Sequence, residues 1–252
     1  MTLDEFWNIH NTLLTGHFYP EIRENSDFTH YKSIFKQKAY NFIKPSVESN
    51  ELNWPAVENL IKKEASEGYE ISFYIPKHLL ENYRETLRVK EYILVTSDVF
   101  VAKTISRPYE IDTEDFVEAS SANFEEFQRV VQETFPDYDN NTEYTEFCFS
   151  QFQKYRDKFL NYMQVKGSRF TSFGSILISD SLEIGFMHNI GTMEKFRRQG
   201  QFTLLTKFLA NTALQNGAKT TYANVEENCA SYHGFKKLGY EEVCSSYVFS
   251  KE

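Results

Sequence analysis

Residues 182–216 read LEIGFMHNIGTMEKFRRQGQFTLLTKFLANTALQN, and no other stretch restricts the fold of this chain so closely. The apolar run Leu182–Thr192 predicts a strand, and a turn carrying Lys195, Arg197, Arg198 and Gly200 follows it. From Gly200 to Asn216, the residues Phe202, Leu205, Phe208, Leu209 and Ala213 form one apolar stripe of an amphipathic helix. Asn216-Gly217 is a helix stop. A strand that enters a helix through a glycine turn is an anion site by construction. The first helical N–H groups have no partner in the helix, and the helix dipole favours negative charge. Gly200 lets a phosphate approach the backbone without a Cβ in the way, and the three cations add to the field. The turn lacks the G-x-x-x-x-G-K-[ST] of a P-loop, and its one glycine is not the three of a dinucleotide fingerprint.

The rest of the chain reads as short strands and helices. Helices are predicted over 3–15, over 28–43 from Phe28, Tyr31, Phe35, Tyr40 and Phe42, and after Asn53, an N-cap with Pro55 in the first turn and Gly68 at the end. Glu70–Ile75 follows as a strand, Pro76–Leu87 as a helix, and Tyr92–Ile105 as a hairpin turning at Ser97-Asp98. Ser106-Arg107-Pro108 ends that pattern and divides the chain into domains 1–107 and 108–252. The second part begins with a strand at Phe116–Ala119, a helix over Ser121–Thr134 capped by Ser121, and a helix over Thr142–Tyr155. Strands at Phe159–Val165 and Arg169–Ile178 precede the segment already described. A strand at Thr220–Val225, a helix over Asn228–Leu238 and strand structure in Tyr240–Phe249 close the chain. Tyr92/Tyr240, Val95/Val243, Ser97/Ser245 and Lys103/Lys251 match at an offset of 148. With a strand–helix–strand order on both sides, an internal repeat is expected.

Arg197-Arg198-Gln199-Gly200-Gln201-Phe202 resembles the pyrophosphate motif [QR]-x-x-G-x-[GA] of the GCN5-related N-acetyltransferase (GNAT) superfamily. It departs at the last position, where Phe202 replaces a small residue. Asn228, Ser231, Phe235 and Gly239-Tyr240 stand at the spacings of the family's next motif, an Asn followed by Ala, Tyr and Gly-Phe. The resemblance covers about residues 110–252. It implies an α/β (α+β) fold, a mixed, mostly antiparallel sheet flanked by helices, joined to a second, smaller, helix-rich α/β domain at the N-terminus. It also implies acetyl-CoA as cosubstrate, held in a split between Leu182–Thr192 and Thr220–Val225. Its pyrophosphate would take the turn Arg197, Arg198, Gln199, Gly200, Gln201, Phe202 and Thr203. Its pantetheine would pair with the main chain around Ile190, Gly191 and Thr192, as an added strand does, near Asn228.

The resemblance further implies direct attack by an amine, which needs a base for the ammonium proton and an acid for the thiolate. The family's usual acid, a Tyr, is Phe235 here, so Tyr232 and Tyr222 are the substitutes considered. His188 lies nine residues before Arg197, matching a proton-relay histidine of the arylalkylamine branch, whose FRQQG is similar to Phe196–Gly200. His188 and Glu183 are the candidate bases, with a satisfied structural histidine as the alternative for His188. The first half has no Arg-x-x-Gly turn, and the resemblance implies a degenerate acetyltransferase-like domain. An unrelated helical extension is the alternative.

Composition narrows the function. Apolar residues make up 41% and aromatics 16% of 252 residues, ample for a packed core. The formal charge of -9 argues against non-specific nucleic-acid binding and attachment to anionic lipid. Cys148, Cys229 and Cys244 are too scattered for a disulfide framework, and no Cys/His spacing suits a metal. No apolar run approaches a membrane span, and the start has no basic n-region. A soluble, cytoplasmic protein is expected, with a homodimer left open. Within 110–146 there are 12 acidic residues against Arg129 alone, followed by Tyr144, Phe147, Phe149, Phe152 and Tyr155. A cationic acceptor, a small-molecule or peptide-like primary amine, is therefore expected. The leading reading is an N-acetyltransferase. The alternative is an acyl-CoA-sensing module without turnover, which Phe202 and Phe235 keep open. A tRNA-dependent aminoacyl transferase is a third, disfavoured by the acidity.

Overall fold

The computed structural model describes residues 3–38, 40–46, 51–136, 146, 147, 150, 159–179 and 181–251. In chain order, α1 (Leu3–Leu14), β1 (Glu21–Glu24), β2 (Phe28–Lys32), β3 (Phe42–Pro45), α2 (Trp54–Ser66), β4 (Ser72–Pro76), α3 (Leu80–Val89) and β5 (Ile93–Thr104) make up the first half. They are followed by β6 (Phe116–Glu118), α4 (Phe124–Thr134), β7 (Phe159–Lys166), β8 (Arg169–Ser179), β9 (Ile184–Thr192), α5 (Gln201–Gln215), β10 (Thr220–Glu226), α6 (Ala230–Lys237) and β11 (Glu241–Ser250). The fold is mixed α/β with mostly antiparallel pairing. Met1–Phe100, Val225–Cys229 and Glu242–Glu252 form one compact unit, and Val101–Asn224 with Ala230–Glu241 the other.

In the first unit the strands run β1-β2-β3-β4-β11. Only β3 and β4 are parallel, paired Phe42–Ser72 and Ile43–Phe73. Their crossover is α2, whose N-cap Asn53 accepts the Ala56 N–H at 3.2 Å. Val57, Phe73, Ile75, Tyr83 and Leu87 lock α2 and α3 onto the sheet. Phe6 and Trp7 of α1 pack edge to face on Phe100 at 4.8 and 5.5 Å. Here the sequence misleads twice. Residues 28–43 are not a helix but β2 and β3. β2 has neighbours on both edges and buries Phe28, Thr29, His30 and Tyr31 in succession, so it lacks the alternation that marks a half-buried strand. Tyr92–Ile105 is not a hairpin either. Ser97 and Asp98 lie inside one twelve-residue strand, where Ser97 uses its carbonyl on the Glu227 N–H and its hydroxyl on the Glu227 carboxylate, both at 2.7 Å.

In the second unit the order is β10-β9-β8-β7-β6, antiparallel except for β9 with β10. The crossover is α5, which buries Leu205, Leu209, Ala210 and Ala213. The cap ahead of α4 is Ser120, not Ser121; it exchanges hydrogen bonds with Asn123 across a 3-10 turn. The predicted helix Thr142–Tyr155 lies outside the described residues apart from positions 146, 147 and 150.

The order strand–helix–strand–helix–strand occurs in both halves as β3-α2-β4-α3-β5 and β9-α5-β10-α6-β11. The helix ends repeat as well. Glu91 (φ 64°) and Gly239 (φ 81°), 148 apart, follow the last turns of α3 and α6. The next N–H groups, of Tyr92 and Tyr240, close on the carbonyls of Leu87 and Phe235 at 2.9 and 3.1 Å.

Candidate active site

The site is built where β9 and β10 part. Their parallel register runs from Ile184–Thr220 to Met187–Ala223 and stops. β9 continues through His188–Thr192, paired on its other edge with β8. The register with β8 shifts between Phe173 and Ser175, and opposite that shift Asn189 takes φ 51°. A bulge bends a strand locally, so this end of β9 carries main chain that β10 does not use.

At the end of β9 the chain makes a 3-10 turn, Glu194–Phe196, and enters α5 through Arg198 (φ 62°) and Gly200 (φ 84°). Gly200 is the N-cap of α5, no side chain caps the helix there, and a Cβ built at Gly200 meets nothing within 4 Å. The space beside the Gly200 Cα is open, at the helix end where the first-turn amides have no intrahelical partner. Arg197 binds inward, its Nε donating to the Thr192 carbonyl at 3.1 Å, and so ties the turn to β9. Arg198 is exposed and has no carboxylate partner among the described residues. Gln199 bridges the turn, accepting from Lys166 Nζ and donating to the Lys195 carbonyl, both at 3.2 Å. Lys195 reaches Glu133 at 3.3 Å, and hydrogen bonds from Arg129, then Lys195, hold the Glu133 carboxyl below the usual range. Lys166 and Glu133 were not legible as site residues. They arrive from β7 and α4, and only the strand register and helix packing bring them here.

Gly191 shows why no side chain fits there: a Cβ would lie 2.2 Å from Thr134 Cγ2 and 3.0 Å from Phe135. The end of α4 thus packs directly on the split segment of β9. His188, 9% exposed, sits between Phe159 and Phe186 at ring distances of 5.0 and 5.5 Å, with Nδ1 3.3 Å from Asn189 Nδ2. It is the first β9 residue past the last β10 pair. Ser175 is its cross-strand partner and Asn161 is the partner of Ser175, so a buried polar row crosses three strands to His188. The hydroxyl of Ser175 donates to Oδ1 of the Asn161 side chain.

The other sequence candidates separate. Glu183 is not brought to the split. It precedes β9 at the opposite end, exposed, in a 2.5 Å ion pair with Lys219. Five residues of strand put it roughly 16 Å from His188. Tyr222 is fully buried and stacked on Phe186 at 4.7 Å, and burial pushes its hydroxyl well above the usual range. That is the behaviour of a core residue and a weak acid. Tyr232 lies half-buried on the first turn of α6, edge to face with His233 at 5.3 Å. Phe235 is buried between Phe202 and Tyr240, at 5.3 and 4.8 Å. Phe202 also fills the notch left by Gly234, whose Cβ would lie 2.5 Å from the Phe202 ring. Asn228 is exposed with φ 62°, two residues beyond β10. Among the described residues no group of three or more His, Cys, Asp or Glu could hold a metal, and no helix is long and apolar enough to cross a membrane.

Residues 177–249 match the family described as FR47-like protein. Solved structures resemble most of the chain. A GCN5-related N-acetyltransferase from Kribbella flavida aligns over 100% of this chain and 96% of its own, with a TM-score of 0.71 and 13% identity. One from Sphaerobacter thermophilus aligns over 90% and 76%, with 0.68 and 11%. A tandem GNAT protein from the clavulanic acid biosynthesis pathway aligns over 97% and 87%, with 0.61 and 8%. No curated protein matches the sequence. At these identities the likeness is one of fold.

Proposed function

The chain carries an FR47-like segment at 177–249 in a fold shared with GCN5-related N-acetyltransferases, and from that premise we propose that it moves an acetyl group from acetyl-CoA to a primary amine. The observation that carries the reading is the uncapped, glycine-opened N-terminus of α5, set beside the parting of β9 and β10. The acetyl-CoA pyrophosphate would sit on the first-turn amides from Gln201 to Thr203, with Arg198 and Lys166 supplying charge. Pantetheine would run along the unpaired edge of β9 at Ile190–Thr192. The Thr192 carbonyl is already used by Arg197, so Ile190 carries most of that pairing.

The amine attacks the thioester carbon, the C–S bond breaks, and the ammonium proton leaves on a base. His188 is that base in our reading: it carries an imidazole, is buried at 9% exposure, and sits at the mouth of the split. The thiolate takes its proton from Tyr232 or from water, because Phe235 has none to give. The acceptor is a cation, a small amine or a peptide. The described carboxylates of 110–136 are exposed, and Glu133 stands on the last turn of α4, whose end packs on Gly191. The first half is a degenerate copy without a phosphate turn. Between β3 and α2 it holds Glu48 and Glu51, with no basic residue and no glycine.

The buried Phe235 favours a second reading, an acyl-CoA sensor without turnover. Calorimetric titration with acetyl-CoA followed by a thiol-release assay over polyamines, aromatic amines and basic peptides separates the two. Micromolar binding with turnover on a cationic amine supports the enzyme. Binding with no thiol release on any amine supports the sensor, and no binding refutes both.

A further inference from the structure

The first unit has its own opening at the carboxyl ends of its parallel pair, the place where ligands enter open α/β sheets. The register of β3 with β4 ends at Ile43–Phe73, and beyond it lie Lys44 on β3 and Tyr74–Pro76 on β4. A cavity of about 330 Å³ opens there, walled by Trp7, Pro76, Lys77, Val243, Cys244 and Ser246. Its volume falls at the lower end of small-molecule sites. No lining residue is acidic; the Glu227 carboxylate lies 4.0 Å from Lys77.

Two of the walls carry unused donors. The Trp7 indole N–H and the Ser246 hydroxyl are buried and hydrogen-bond to nothing among the described residues, although Trp7 is 4% and Ser246 1% exposed. Buried polar groups in folded proteins are almost always satisfied, so two such groups on one cavity point to a missing acceptor. A cation stands beside them. Lys44 is 4% exposed, with Nζ 4.8 Å from the centre of the Trp7 ring. Its charge acts on Cys244 in the wall and on His10 behind it. The indole face, Pro76 and Val243 give the cavity apolar surface, and Lys77 and His78 line it as well.

We propose that this cavity binds a small organic carboxylate, its oxygens taking the Trp7 N–H, the Ser246 hydroxyl and the field of Lys44, and its apolar body lying against Trp7, Pro76 and Val243. The field of Lys44 with two neutral donors suits a carboxylate, and the Lys77 charge on the wall is shared with Glu227 at 4.0 Å. A phosphate dianion is more often met by an arginine fork or a helix N-terminus. The site is independent of the α5 turn, so it stands or falls separately from the acetyl-CoA reading.

The full-length Trp54→Phe variant leaves Trp7 as its one tryptophan, a reporter on the cavity wall. Titration with phenylacetate should change its fluorescence with a Kd below about 1 mM. Phenylacetamide and inorganic phosphate should give at least about tenfold weaker responses, since the charge-assisted bonds are the selective ones. Lys44→Met should weaken phenylacetate binding about tenfold or more, and Ser246→Ala a few-fold, with circular dichroism unchanged. Equal responses to phenylacetate and phenylacetamide would overturn the proposal, as would tighter binding of phosphate or no response to phenylacetate up to ~10 mM. If Lys44→Met does not fold, Ser246→Ala decides: undiminished affinity there overturns the site.

Discussion

Gly200 and Gly217 flank α5 with nearly the same backbone, φ 84° and 86°, and a Cβ at either meets nothing within 4 Å. Replacing each by Ala therefore tests ligand approach against backbone strain. A left-handed L-residue costs about 1–2 kcal/mol, offset by about 0.4–1 kcal/mol from a stiffer unfolded chain. Both variants should lose roughly 0.5–1 kcal/mol, a fall of about 1–4 °C in Tm for a chain of this size. Their acetyl-CoA affinities should differ sharply. At Gly200 the methyl stands on the path to the first-turn amides, and losing one charge-assisted bond costs about 1.5–3 kcal/mol, roughly 10–100-fold in Kd. At Gly217, past the other end of the helix, Kd should stay within about twofold of wild type. Calorimetric titration alongside thermal melts reads both quantities. Equal acetyl-CoA affinities with equal Tm losses would refute the phosphate site.

His188→Ala should lower kcat by about 100-fold or more and leave acetyl-CoA binding nearly unchanged; a wild-type pH–rate profile in the variant would sink the base. Gly191→Ala forces a Cβ to 2.2 Å from Thr134 Cγ2, so it should cost about 1–3 kcal/mol in a urea melt. Thr134→Ser removes that methyl and should recover part of the loss, and a double variant no better than Gly191→Ala would count against the contact. Burial first holds His10 down at about 3 and His30 at about 4, against 6.5 for an exposed imidazole. The unfolded chain takes up those protons below about pH 6.5 and the folded chain does not. Stability is therefore fully present above about pH 6.5 and falls towards pH 4 by up to ~1.4 kcal/mol per pH unit per histidine. His30→Gln should flatten that slope in urea melts at pH 7, 6 and 5, and an unchanged slope would refute it.

What was legible in the sequence depended on local rules. The α5 turn announced itself because Gly200 must adopt positive φ between a strand and a helix, and Asn53 and Gly68 bracketed α2 for similarly local reasons. β2 was misread because it is covered on both edges and buries polar Thr29 and His30 with its aromatics. Periodicity cannot report a strand that hides four residues in succession. The site surroundings were invisible for a different cause. Lys166 lies 33 residues from Gln199, and Thr134 lies 57 from Gly191. Glu183 failed by direction: it lies just ahead of the strand that carries His188, at the end β10 still pairs.

The two departures from the family motifs, Phe202 and Phe235, are a single packing change in the structure. The Phe202 ring occupies the notch of Gly234 and meets Phe235 edge to face, and Phe235 meets Tyr240 likewise. Tyr240 is anchored in turn by Thr221 at 2.8 Å. A small residue at 202 would leave the Gly234 notch empty, and a hydroxyl at 235 would have to be satisfied inside an aromatic cluster. The large side chain that follows Gln201 is therefore engaged in packing. It is turned into the α5–α6 contact, and no side chain caps the first-turn amides. The same contact leaves no hydroxyl at position 235, so in the proposed reaction the thiolate depends on Tyr232 or water for its proton. Restoring only Phe235→Tyr should then lower stability by about 1–3 kcal/mol without raising kcat, whereas a rate gain would show that the missing hydroxyl, not the base, limits the reaction.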